Sequence, residues 1–190
     1  HLMDKPAHVE RRDYAEFHAD YHPYFRNFLE KFGYYDIFLV EPENGRIVYS
    51  VFKELDYATS LVDGPYSQSN FAAAFRAVQG SRNPDLVKMV DFDEYYPSYQ
   101  SAASFLSAPI IYVDEQVGVL VFQIPIDQIN TTMTNSGSWS SVGLGRSGET
   151  YMVSNDYSMR NDSRLLIEDP DSFFGNLQKQ NIPAEKISRI

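Results

Sequence analysis

The sequence predicts an α+β fold: a long N-terminal helix, then a central antiparallel five-stranded sheet with helices on one side. Aromatic residues recur at helical spacing over residues 14–32, and β-rich apolar runs alternate with turn residues from Tyr35 to Ile126. One alanine-rich helical stretch interrupts those runs. Two strands, a crossover and three more strands form an order that segregates helices from a single antiparallel sheet.

Each element follows from its residues. Phe17, Tyr21, Tyr24/Phe25, Phe28 and Phe32 fall in steps of three and four, which makes a helical stripe that packs against the sheet or a partner helix. Pro23 lacks an N–H and is predicted to kink this helix or restart it, and Gly33 to end it. Residues 35–40 and 46–52 flank Glu41-Pro42-Glu43-Asn44-Gly45 as a hairpin. Residues 71–78 form a short helix opened near Ser67 to Asn70. Strands follow at about Leu86 to Asp93, Ser104 to Val113 and Val117 to Ile124, the last two joined by the tight turn Asp114-Glu115-Gln116. Beyond these come a short helix at 127–133, a polar linker at 134–141, a strand beginning at Glu149–Val153, a turn at Asn155-Asp156 and a helix over 173–180. The chain thus divides into an amphipathic helix over 1–34, a β-rich module over 35–133, and, over 134–190, a linker with the start of a second module or a C-terminal extension.

Composition narrows the function. The chain has 190 residues, 43% of them hydrophobic, which suits one domain or one domain with part of another. A net charge of -10 excludes a nucleic-acid surface, because phosphates need clustered Lys and Arg. There is no cysteine, hence no disulfide framework and no thiolate chemistry. No run approaches the length of apolar sequence that spans a bilayer.

Motifs with catalytic meaning fail on context. Gly143-Leu144-Gly145-Arg146-Ser147-Gly148 has dinucleotide-loop spacing, but a β-rich run rather than a helix follows it. His18 and His22 stand one helical turn apart, with Ala19 where a zinc protease carries its Glu. Asp91, Asp93 and Glu94 lack the glycine and closing Glu of a calcium loop. Neither a Gly-x-Ser-x-Gly elbow nor a P-loop is present. The expectation is a non-enzyme with no catalytic residue, no metal and no cofactor.

Three stretches, Gly33–Val40, Val48–Glu54 and Gly118–Ile126, resemble the Cache family, the PAS-like extracytoplasmic sensor domains of chemotaxis receptors, sensor histidine kinases and membrane nucleotide cyclases. Gly148–Val153 with Met159–Arg164 is similar to the strand pair that opens the membrane-proximal half of double-Cache receptors. The resemblance covers most of residues 20–165. It implies a ligand pocket between the sheet and the crossover, roughly Lys53 to Arg82, an anchor in the inner membrane with this part in the periplasm, and a homodimer through the N-terminal helix. Amino-acid-sensing members carry an arginine and a Trp-Tyr pair in the crossover. Here it reads Leu61-Val62-Asp63-Gly64-Pro65-Tyr66, so that mode of recognition does not carry over.

Pocket chemistry selects Lys53, Asp56 and Tyr57 at the lid entrance, Tyr95, Tyr96, Ser98 and Tyr99 beyond the third strand, and Ser104, Phe105 and Gln123 on the last strands. Lys53 pairs with a ligand anion or is a solvated charge. Asp56 binds an ammonium group or caps a turn. The Tyr-Tyr-Pro-Ser-Tyr segment offers aromatic faces to a ligand or anchors a loop. Gln123, an amide in an apolar strand, needs backbone or ligand partners. The resulting expectation is a small-molecule sensor that relays binding through helix movement; the alternative is a periplasmic module that binds a partner protein.

Overall fold

The computed structural model describes residues 12–99, 101–154 and 157–184. They fall into two compact units, one ending at Ile126 and one starting at Asp127. The first holds α1 (Arg12–Phe32), β1 (Asp36–Val40), β2 (Ile47–Ser50), α2 (Asn70–Arg76), β3 (Lys88–Tyr95), β4 (Ser101–Tyr112) and β5 (Glu115–Pro125). All pairings are antiparallel, in the order β2-β1-β5-β4-β3.

Alternation along the strands gives each sheet face its own core. Phe38, Val40, Phe105, Val119 and Val121 pack with Phe71 and Phe75 of α2. Ile37, Leu39, Leu120 and Phe122 turn the other way, with Leu29 and Phe25 of α1. The helices therefore flank the sheet on both faces, where the sequence had placed them on one. Successive residues of β1 must face opposite sides, and both sides of that strand are apolar.

α1 runs unbroken through Pro23 instead of kinking or restarting. The hydrogen bond that proline forfeits belongs to the carbonyl of Ala19, and both residues are exposed, so water replaces it. Gly33 ends the helix at φ 72°, where its N–H and that of Tyr34 both reach the Leu29 carbonyl. The row that meets the sheet is His18, His22, Phe25 and Leu29, one position on from the predicted stripe. Phe17 is 63% and Tyr24 74% exposed, and Tyr21, Phe28 and Phe32 are exposed as well.

In the hairpin, Glu41 folds its carboxylate onto the N–H groups of Glu43 and Asn44. Gly45 has φ 64°, and a Cβ there would lie 2.9 Å from Val62, so the crossover can settle on the hairpin only over a glycine. Ser69 caps α2 by accepting from the Ala72 N–H. Seven residues make a weak helix alone, and α2 is held by tertiary bonds. Ser107 donates to its Ala74 carbonyl, and Asn70 donates to the carbonyls of Ala103 and Asp91. β3 lies at the sheet edge, where exposed Asp93 and Glu94 discourage pairing with another chain.

The β4–β5 turn falls on Val113-Asp114, one residue before the predicted position. Both residues have positive φ, 49° and 62°, as a two-residue turn matching strand twist demands. A β-branched valine is strained there. Replacing Val113-Asp114 with Asn-Gly is expected to stabilise the protein by about 1 kcal/mol and raise its melting temperature by roughly 2–4 °C. A calorimetric scan showing no rise would contradict the strain.

The second unit holds α3 (Ile126–Thr134), a 3₁₀ turn (Trp139–Val142), α4 (Arg164–Glu168) and α5 (Pro170–Lys179). Trp139, read from sequence as linker, is buried, with the Arg164 guanidinium 4.7 Å from its ring centre. Arg164 also donates to the carbonyls of Gly145 and Gly148 and pairs with Glu168, which closes the glycine loop around the indole. Among the described residues the strand expected from Glu149 is reduced to one bridge, Val153 with Met159, and Tyr151 and Val153 stay exposed rather than packing in a core. The turn predicted at Asn155-Asp156 lies outside the described residues.

Candidate ligand site beneath the crossover

The site forms where β1 begins and β5 ends. Asp36, Gln123 and Phe105 stand side by side on β1, β5 and β4, on the face that the crossover covers. Chain leaving β2 brings Glu54 and Asp56 over this row. The end of β3 brings Tyr95, and the chain leaving it brings the 3₁₀ turn Tyr96–Ser98.

Three hydrogen-bonded groups result. Tyr35 donates to Glu54 Oε1 at 2.9 Å and Ser98 to Glu54 Oε2 at 3.1 Å, while Gln123 Nε2 donates to Ser98 Oγ at 2.9 Å. Beside them the Tyr95 hydroxyl donates to Asp56 Oδ2 at 2.7 Å. Asp36 accepts four bonds, from the N–H groups of Ile37 (2.6 Å), Val51 (2.8 Å) and Phe52 (3.3 Å) and from the Ser50 hydroxyl (2.9 Å). Asp36 and Asp56 are fully buried and Gln123 is 2% exposed. Asp56 Oδ1 and Gln123 Oε1 have no partner.

Burial dominates the electrostatics. It lifts Asp36 to about 7 against the pull of its donors, and the neighbouring charge of Asp56 adds to the rise. Burial also raises Glu54 and Asp56, each held back by its own hydrogen bonds. The Tyr95 hydroxyl is pushed far up by burial and by Asp56. Among the described residues no lysine or arginine forms an ion pair with these carboxylates. Chemically, such an arrangement can accept further hydrogen bonds and balance a positive charge.

Of the residues selected from sequence, the structure brings together Asp56, Tyr95, Ser98, Phe105 and Gln123. Lys53 instead adopts φ 53° and aims Nζ at the Val51 carbonyl and the Tyr49 ring on the α1 side. Tyr57 packs in the crossover core, and its hydroxyl meets that of Tyr14. Tyr96 and Tyr99 are exposed. Ser104 alternates with Phe105 onto the opposite face and donates to the Val90 carbonyl. Sequence reasoning missed Asp36, Glu54 and Tyr35. The available signals were an aspartate opening an otherwise apolar strand and a Glu-x-Asp pair directly after another.

His18 and His22 stack at 4.5 Å against Tyr49, with His22 Nδ1 2.9 Å from the Tyr49 hydroxyl. Burial first, then the charges of Lys53 and His22, holds His18 down at about 4. The pair packs α1 onto the sheet.

Comparison with solved structures fixes the fold. No protein-family model matches the chain, and no curated protein matches it in sequence. The sensory domain of the Campylobacter jejuni chemoreceptor Tlp3 superposes with a TM-score of 0.54 at 10% identity, over 90% of this chain and 62% of that one. The Tlp3 ligand-binding domain in complex with L-norvaline gives 0.52 at 11% identity, over 90% and 59%. The fold is that of the Cache-type sensor domains. The Pseudomonas aeruginosa amino acid chemoreceptor PctC, in complex with GABA, gives 0.48 at 14% identity, over 90% and 64%. The chain spans less than two thirds of the length of the sensor domains it matches.

Proposed function

We propose that the chain is the extracytoplasmic ligand-sensing part of a membrane-anchored signal-transduction receptor, most directly a methyl-accepting chemotaxis protein and otherwise a sensor histidine kinase or nucleotide cyclase. It binds a small molecule between the crossover and the sheet and is not itself an enzyme. The observation that carries this reading is the pair of buried acceptors without donors, Asp56 Oδ1 and Gln123 Oε1, under the crossover of a Cache-type fold. A buried polar atom without a partner is costly unless something completes it.

The route outward is short. Gly33, which ends α1, is joined through Tyr34 and Tyr35 to Asp36. Asp36 faces the site while Ile37, its neighbour, packs on the α1 side. A ligand that favours one arrangement of the crossover shifts this strand end, and α1 slides or rotates by about 1–2 Å.

A second reading, a module that binds a partner protein, draws on the exposed aromatic row of α1 and on the groove of about 390 Å³ beside it, lined by Tyr21, Tyr24, Phe28, Ile37, Leu120 and Phe122. The same row suits a homodimer through α1.

A thermal-shift screen against amino acids, organic acids, amines, purines and sugars separates the two readings. A ligand of the folded state at a hundredfold excess over its Kd stabilises by about 2.7 kcal/mol, a rise of roughly 5–10 °C. One chemical class is expected to produce it. Silence across the panel would move the assignment to partner binding.

A further inference from the structure

We infer that the site under the crossover takes a small organic cation, a primary amine without a carboxylate, because among the described residues the groups of the site left without partners are acceptors and the charged side chains beside them are carboxylates. This rests on the small-molecule reading above and names the chemistry of its ligand.

The argument is one of complementarity. Asp36 is satisfied by four donors, and both Glu54 oxygens have theirs. Asp56 Oδ1 and Gln123 Oε1 do not. The orientation of the Gln123 amide follows from its neighbour. Ser98 gives its hydroxyl proton to Glu54, so toward Gln123 it can only accept, and Nε2 must face it. Oε1 is then the free end. An incoming group must donate hydrogen bonds, and beside an aspartate a charged donor binds better than a neutral one.

The same geometry excludes anions. The donors of the site, the hydroxyls of Tyr35, Tyr95 and Ser98 and the amide of Gln123, already point at oxygens of the site itself. Lys53, the nearest cation in sequence, turns its ammonium to the Val51 carbonyl on the other side. A ligand carboxylate would meet Glu54 and Asp56 with no donor to receive it. Tyr95 and Tyr66, with ring centres 6.2 Å apart, add aromatic faces suited to an ammonium ion. Among the described residues no three carboxylates or imidazoles converge as metal ligands do, which favours an organic cation over a metal ion.

The test is titration calorimetry and thermal shift of the whole chain with amines from methylamine to phenethylamine. Each is set against its matched carboxylate, with butanol, γ-aminobutyrate and calcium chloride alongside. At least one amine is expected to bind at least about tenfold tighter than its matched acid, with γ-aminobutyrate weaker than butylamine. Asp56→Asn, folded by circular dichroism, is expected to lose about tenfold or more in amine affinity. Glu54→Gln, on a half-buried side chain, serves if Asp56→Asn does not fold, and is expected to weaken binding in the same direction. A carboxylate or calcium binding as tightly as any amine would overturn the proposal, as would amine affinity unchanged in both variants. If an uncharged or anionic compound binds and Asp56→Asn abolishes it, the site stands and the cation assignment falls. If nothing in the wider panel binds, both fall.

Discussion

Asp36→Ala is expected to destabilise the first unit by about 3–5 kcal/mol, a fall in melting temperature on the order of 10 °C. The substitution strands three backbone N–H groups and the Ser50 hydroxyl in a place that water does not reach. Asp36→Asn keeps one acceptor oxygen but turns an NH₂ toward groups that are themselves donors, so it recovers only part of the loss. The pH dependence carries a second signature. Asp36 sits near 7 in the folded chain against an ordinary 3.8, so the folded state binds its proton more tightly than the unfolded state does. The stability this contributes is complete below about 4 and is lost as pH rises through about 7. Glu54 and Asp56 act in the same direction. His18, held at about 4 against 6.5, acts oppositely: its contribution is present above about 6.5 and lost as pH falls toward 4. The difference between wild type and Asp36→Asn across pH 4–7, followed by urea titration, isolates the Asp36 share. Asp36→Ala within about 1 kcal/mol of wild type would contradict the account of this carboxylate.

Phe71→Ala is expected to cost about 3–5 kcal/mol. Phe71 is fully buried at the centre of the crossover core, 4.5 Å from Phe38, 4.7 Å from a stacked Phe105 and edge-on to Tyr95 at 6.1 Å between ring centres. The cavity opens where α2 meets the sheet, and α2 is too short to persist without that contact. Amides of α2 should exchange with solvent faster than those of β4 and β5, because the crossover loosens before the long hairpin does. Uniform exchange, with stability reduced by less than about 1 kcal/mol, would show that Phe71 does not hold the crossover down.

Much of the fold was legible because strands and turns are local. The runs 35–40 and 46–52, the helix opening within Ser67 to Asn70 and the long hairpin over β4 and β5 each declare themselves in a few residues. The helix face was misjudged by one position. Aromatic spacing marks a stripe without saying which of two adjacent rows meets the sheet, and here Tyr49 receives His18, His22 and Phe25. Pro23 misled for a related reason, since its cost depends on exposure at Ala19. In the second unit, Trp139 among serines and glycines reads as linker until Arg164, distant in sequence, covers it.

The site was half legible. Gln123 and Asp56 announce themselves as polar residues in apolar or turning surroundings. Lys53 and Ser104 failed because strand alternation and a positive φ decide which way a side chain leaves the backbone. Asp36 and Glu54 were passed over because only the end of β3 and the turn after it bring Tyr95 and Ser98 to this corner and make it a polar centre.

The most direct test of the central claim is where binding happens. The compound that most raises the melting temperature of the wild-type chain in the screen is repeated on Asp56→Asn, beneath the crossover, and on Tyr24→Ala, in the exposed groove beside α1. The account expects the rise to vanish in Asp56→Asn and to persist in Tyr24→Ala; a rise that survives in Asp56→Asn and disappears in Tyr24→Ala would place recognition on the α1 face and contradict it.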